Sequence, residues 1–169
     1  MSRRWDDLRA PATGINPPGQ ASDPDWDLTN IGFLFDKGST ESVQIIMQLP
    51  HGYIEGTFIY PHIHWEPTDA GAGNVLWRLA YKWRNNHEVD SGFTTVDTLV
   101  TASGVADSLQ INGFGAIGKE GATISSLFEC TLSRVGGDAS DTYDADARLK
   151  EFDVHVQLDD IGSASERAK

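Results

Sequence analysis

Apolar and polar positions alternate with period two over much of this sequence, the pattern of strands that bury one face. The alternation starts near Ile31. Residues 31–36 read as a short strand and residues 37–40 as a turn. Residues 41–49 form a second strand, with Val43, Ile45, Met47 and Leu49 inward and Ser42, Gln44 and Gln48 outward. From Thr57 the pattern is strict: Thr57, Ile59, Pro61, Ile63 and Trp65 share one face, and Phe58, Tyr60, His62, His64 and Glu66 share the other. Val75, Trp77, Leu79, Tyr81 and Trp83 line one face of a fourth strand, with Arg78 and Lys82 opposite. Residues 94–101 and 108–114 give two weaker strands. Residues 123–135 put Ile124, Ser126, Phe128, Cys130 and Leu132 on one face, and residues 149–158 turn Phe152, Val154, Val156 and Leu158 inward and Asp153, His155 and Gln157 outward.

No stretch carries a sustained 3.6-residue period, so the fold class is all-β. About eight strands separated by turn signals predict an antiparallel β-sandwich, and among sandwiches a jelly roll, chosen on strand count. Residues 1–30 read differently. Pro11, Pro17, Pro18 and Pro24 break regular structure, and Gly14 and Gly19 add turns. This stretch predicts an extended N-terminal arm ahead of a sandwich domain over residues 31–169. The arm carries Trp5, Leu8, Ile15 and Trp26, more apolar bulk than a solvated tail needs. It either docks on a neighbouring subunit or a larger assembly, or folds back on its own domain. Because the inward-facing alternation begins near Ile31, the sandwich is expected to fold without it.

Composition narrows the partners. The 169 residues carry a formal net charge of −12, which argues against nucleic acid and anionic membranes. Cys130 is the only cysteine, so no intrachain disulfide forms; a small core residue is expected there. Met1-Ser2-Arg3-Arg4 leads into Trp5-Asp6-Asp7 rather than an apolar run, so no signal peptide is expected.

The candidate chemistry centres on His62 and His64, which point the same way from one strand and could ligate one metal ion. Gly56, five residues, His62-Ile63-His64, then Glu66 and Gly73 resembles the first metal motif of cupins, which are also jelly rolls. The glutamate falls two positions after the second histidine, where cupins place it three or four on. No Pro-x-Gly turn precedes His87 or His155 to supply the second motif. Two ligands from one strand leave a tetrahedral site short of a third, and Glu66 is the one carboxylate that the sequence places on their face. The expectation is therefore no metal, no cofactor and no catalytic residues, with the imidazoles hydrogen-bonding in a sheet or across a subunit contact. Asp138, Asp141, Asp144 and Asp146 lack calcium-loop spacing and read as a solvated loop. Gly113-Phe114-Gly115-Ala116-Ile117-Gly118 matches a phosphate-loop string but no helix is expected after it.

Trp5-Asp6-Asp7-Leu8-Arg9, Gln48-Leu49-Pro50-His51, Glu55-Gly56-Thr57, Pro61-His62-Ile63-His64-Trp65 and Ile161-Gly162-Ser163 together resemble a family of small proteins encoded by tailed bacteriophages and prophages. The resemblance implies a non-enzymatic virion structural protein of the capsid decoration or cement type. Such proteins are usually trimeric, so the resemblance implies a homotrimer that binds the major capsid protein on the outer head surface after assembly in the bacterial cytoplasm. It also implies an architectural role for the histidine pair. On that footing Trp5, Leu8, Ile15, Trp26, Tyr60, His62 and His64 are the expected partner-binding residues. The alternatives are a tail, neck or fibre-attachment component, and a cupin-like metalloenzyme or carbohydrate-binding module using His62 and His64.

Overall fold

Ten strands carry the fold, and in the computed structural model they are described over residues 4–118 and 121–159. The Ile161-Gly162-Ser163 segment and the polar tail lie outside the described residues. The strands are β1 (Arg4–Pro11), β2 (Asp25–Asp27), β3 (Gly32–Phe35), β4 (Thr40–Gln48), β5 (Tyr60–Pro67), β6 (Asn74–Arg84), β7 (Thr94–Thr101), β8 (Gln110–Gly113), β9 (Leu127–Val135) and β10 (Ala147–Leu158). Among the described residues the one helical piece is a 3-10 turn, Ala12–Gly14. Two antiparallel sheets result, one in the order β2-β3-β10-β5-β8 with β1 also on β10, the other β4-β9-β6-β7. Strand β3 pairs β10, β4 pairs β9, β5 pairs β8 and β6 pairs β7. That nesting is a jelly roll, an antiparallel ribbon wound so that successive strands swap sheets.

The expected strand faces hold. Trp65, Phe35, Trp77 and Phe128 are all buried in the core, with Phe35 and Trp77 edge-to-face at 5.2 Å and Trp65 and Trp77 at 6.1 Å. The Trp65 indole N–H donates to Asn112 Oδ1 at 2.7 Å, so its burial leaves no orphan donor. Cys130 is buried as expected, and burial pushes its thiol pKa up. In β10 both Leu149 and Phe152 face inward although their numbers differ by three. A register shift between Leu149 and Glu151 adds the residue that makes this possible.

Three expectations change. Strand β5 begins at Tyr60, not Thr57, because residues 53–57 turn, with the Thr57 N–H and hydroxyl both donating to Ile54 O. Strand β9 begins at Leu127, not Thr123, because the Ser126 N–H closes a turn onto Thr123 O. The larger change is in the arm. Residues 4–11 pair with β10 over eight positions, Arg4↔Leu158 to Pro11↔Glu151, and Ala12 and Ile15 are buried in the core. So this segment folds back on its own domain, and the sandwich is not expected to stand intact once residues 1–30 are removed. Charged outward residues and only Leu8 and Ala10 half-buried hid the strand, as befits a sheet edge.

The acidic loop after β9 is not merely solvated. Arg134 continues the inward face of β9 and is fully buried. Its five N–H groups all find acceptors: Asp141 Oδ2 at 3.0 Å and Oδ1 at 2.8 Å, Phe35 O at 2.9 Å, Ala145 O at 2.7 Å and Tyr143 O at 2.7 Å. Asp141 Oδ2 also accepts the Leu76 N–H at 3.0 Å. Replacing Asp141 by Asn would leave a buried guanidinium uncompensated, which costs about 3–5 kcal/mol. Urea denaturation is expected to show that loss as a lowered midpoint with an unchanged slope.

Candidate functional site

Period two sends Tyr60, His62, His64 and Glu66 of β5 to the outer face of the first sheet, away from the core. Beyond its bulge, β10 sends Glu151, Asp153 and His155 to the same face, and β1 adds Trp5, Asp7 and Arg9. The register then makes rows. Asp153 lies between His62 and Arg9, and His155 lies between Tyr60 and Asp7. Arg9 turns from Asp153 to Glu151, with Nη2 to Oε2 at 2.9 Å. Asp153 is thus left to the histidines.

His62 Nε2 contacts Asp153 Oδ1, and His64 Nε2 lies 3.4 Å from Asp153 Oδ2. One donor atom from each of the three residues lies within 4.8 Å of the others. Asp153 and His62 are only 4% and 8% exposed, and His64 is half-buried. Despite this crowding, His64 Nε2 is buried without a hydrogen bond. His62 Nδ1 donates to Tyr60 O at 3.4 Å. Burial pulls the His62 pKa down, but contact with Asp153 and its charge, helped by the Tyr60 carbonyl and Asp7, outweigh it and raise the value. Gly113 faces His62 across the β5–β8 pair, so no side chain covers the imidazole from that strand.

Beside the cluster lies a pocket of about 590 Å³ lined by Trp5, Asp7, Tyr60 and His155. Trp5 is 55% exposed and meets Tyr60 edge-to-face at 5.4 Å. The His155 ring lies tilted against His62, 4.3 Å between centroids, while its Nε2 pairs with Asp7 Oδ1 at 3.0 Å.

The structure thus gathers four of the expected residues, Trp5, Tyr60, His62 and His64, on one face. It separates the rest. Ile15 is in the core and Leu8 packs against it, so neither is presented to a partner. Trp26 packs on Phe33 at 4.8 Å on another part of the sheet. Glu66 shares the histidine face, as expected, but is held by Arg148 Nη1 at 3.0 Å, together with Asp27 and Asp107, and does not join the histidine cluster. The third member is Asp153, which sequence reasoning placed outward on the last strand without a neighbour. Only the β5–β10 pairing, unreadable from either strand alone, brings it to His62. Among the described residues no helix follows Gly113–Gly118, so that string cradles nothing of the phosphate-loop kind.

No family model matches the chain. No curated protein matches it either. Solved structures with similar strand arrangements include an arabinose-bound MgGH51 α-L-arabinofuranosidase, with a TM-score of 0.41 and 10% identity over 90% of this chain and 23% of that one. Another is dimeric latent PorU from Porphyromonas gingivalis, at 0.38 and 6% over 94% of this chain and 13% of that one. A third is a family 11 carbohydrate-binding module from Clostridium thermocellum bound to a mixed-linked tetrasaccharide, at 0.34 and 12% over 94% and 89%. The chain spans under a quarter of the first two proteins. No activity passes to this chain from likenesses at this level.

Asp27, a partner of Arg148, carries a pH dependence. Asp27 is held at about 2, below its ordinary 3.8, by the Asn30 backbone N–H first; partial burial opposes, and the Asn30 amide, the Thr29 N–H and Arg148 add to the lowering. A depressed carboxylate stabilises the fold above its unfolded pKa and loses that contribution as pH falls through the folded one. The stability advantage of the wild-type chain over Asp27→Asn is therefore expected to be full above pH 3.8 and to vanish as pH falls through about 2. Denaturation curves of both proteins at stepped pH measure it.

Proposed function

We propose that this chain is a non-enzymatic structural protein of a tailed-phage particle, a decoration or cement protein bound to the outer surface of the head. Its partners on this reading are the major capsid protein and two further copies of itself. The observation that carries the reading is the exposed aromatic pocket of Trp5 and Tyr60 on a face otherwise tied down by ion pairs. Large aromatic side chains with a polar rim are the anchors that dominate protein interfaces. The sequence resemblance to phage proteins runs through the residues that build this face: Trp5, Asp7 and Arg9 in one motif, His62 and His64 in another. The net charge of −12 suits a protein that stays outside the shell rather than on packaged DNA.

A second reading takes the same pocket as a carbohydrate site. It is favoured by the apposition of Trp5 and Tyr60 with the polar Asp7 and His155, an apolar platform with a few convergent polar groups. A glycan array separates the two readings, since saturable sugar binding lost in Trp5→Ala supports this one.

For the first reading, a reconstruction of the particle is expected to place the chain on the outer head at sites of threefold symmetry. Density confined to the tail or neck, or none, would overturn it. Trp5→Ala is expected to weaken attachment to undecorated heads by at least about thirtyfold, the equivalent of a 2 kcal/mol hot spot. Cosedimentation measures this. Because Trp5 is largely exposed, the melting temperature is expected to change little.

A further inference from the structure

We propose that His62, His64 and Asp153 form a binding site for a first-row divalent transition-metal ion, of which zinc is the representative probe. The inference is independent of the role proposed above. It rests on three observations.

The first is the histidine tautomer. A carbonyl oxygen can only accept, so the His62 Nδ1 bond to Tyr60 O fixes the proton on Nδ1. In the neutral imidazole, Nε2 is then a bare lone pair, yet it sits in direct contact with a carboxylate oxygen. Two acceptors do not meet unless a proton or a metal ion lies between them. A metal-ligating histidine characteristically donates its other N–H to a backbone carbonyl, as here.

The second is an orphaned atom. His64 Nε2 is buried with no hydrogen bond, although buried polar groups nearly always have one. An ion held among the three residues would engage it.

The third is spacing. Ligand atoms about 2.0–2.1 Å from a tetrahedral ion lie about 3.3 Å apart. The His64 Nε2–Asp153 Oδ2 separation of 3.4 Å matches and the whole set falls within 4.8 Å, while the closer His62 Nε2–Asp153 Oδ1 contact would have to open to admit an ion. Two imidazoles and one carboxylate suit zinc or ferrous iron rather than magnesium or calcium, which take oxygen ligands. His64 is half-buried at the rim, which leaves a way in. The ligand set comes from two strands, so an ion would tie β5 to β10.

The test uses the full-length chain without a histidine tag, stripped with a chelator and dialysed. Calorimetric titration with Zn²⁺ is expected to show one ion per chain, and Co²⁺ is expected to give the visible absorption of a low-coordinate site. Asp153→Asn and His64→Gln are each expected to lower Zn²⁺ affinity by more than about tenfold, whereas His87→Asn, in a remote loop, leaves it unchanged. Should Asp153→Asn fail to fold, His64→Gln carries the test, because His64 Nε2 has no hydrogen bond to lose. That variant is expected to keep the melting temperature of the metal-free protein and to lose the rise that Zn²⁺ gives the wild type. No stoichiometric binding by the wild type, or an affinity unchanged in His64→Gln, overturns the proposal.

Discussion

The buried Arg134–Asp141 pair is the interaction on which the placement of the outer face depends. Strand β9 lies in one sheet and β10 in the other, and residues 136–146 join them. Arg134 reaches back from β9 to hold this loop by Asp141, Tyr143 and Ala145, and reaches across to Phe35 of β3. Gly136, at the start of the loop, lies so close to the Asp36 and Lys37 carbonyls that a side chain has no room. A crossing between sheets carries polar backbone through the core margin, and such groups must be satisfied there. One guanidinium does so for three carbonyls. The result is that β10 enters the first sheet at a fixed height, between β3 and β5.

From that fixed entry, β10 sets the chemistry of the face it shares. Its bulge shifts parity after Leu149, so Phe152, Val154 and Val156 stay inward while Asp153 and His155 turn out. Without the added residue, Asp153 would point into an apolar core and Phe152 into water, because a one-residue slip exchanges the faces of a strand. The same strand hosts β1 along its free edge, which brings Trp5, Asp7 and Arg9 beside it. A single central strand thus collects the histidines of β5 and the aromatic and charged residues of β1.

What the sequence made legible follows from this. Strand faces were readable because burial of one face imposes period two locally, as in Ile63 and Trp65 against His62 and His64. The jelly roll followed from the number of such strands. Partners were not readable. Glu66 and Asp153 both point outward, and nothing within either strand tells that Arg148 holds the first and the histidines the second. The Arg134–Asp141 pair was missed for a related reason: period two puts Arg134 on the inward face of β9, but only Asp141, seven residues on and read as part of a solvated loop, makes the burial of its charge tolerable. Strand β1 was missed because an edge strand is protected by charge rather than marked by apolar residues.

The outer face also has an electrostatic logic. Glu151 is paired with Arg9, and Asp27, Glu66 and Asp107 with Arg148. Asp7 meets only a histidine, but it is nearly half exposed, and water screens it. Asp153 differs from all of these. It is as buried as Arg148, yet the side chains that contact it are imidazoles, and Arg9 directly across the β1–β10 pair bonds elsewhere. A buried carboxylate is tolerated when a positive charge compensates it. In an acidic chain of net charge −12 that compensation is not supplied by the wider field. A proton or a metal ion held between Asp153 and the two rings would supply it. On the proposal above, this one position on an otherwise balanced surface depends on what it binds.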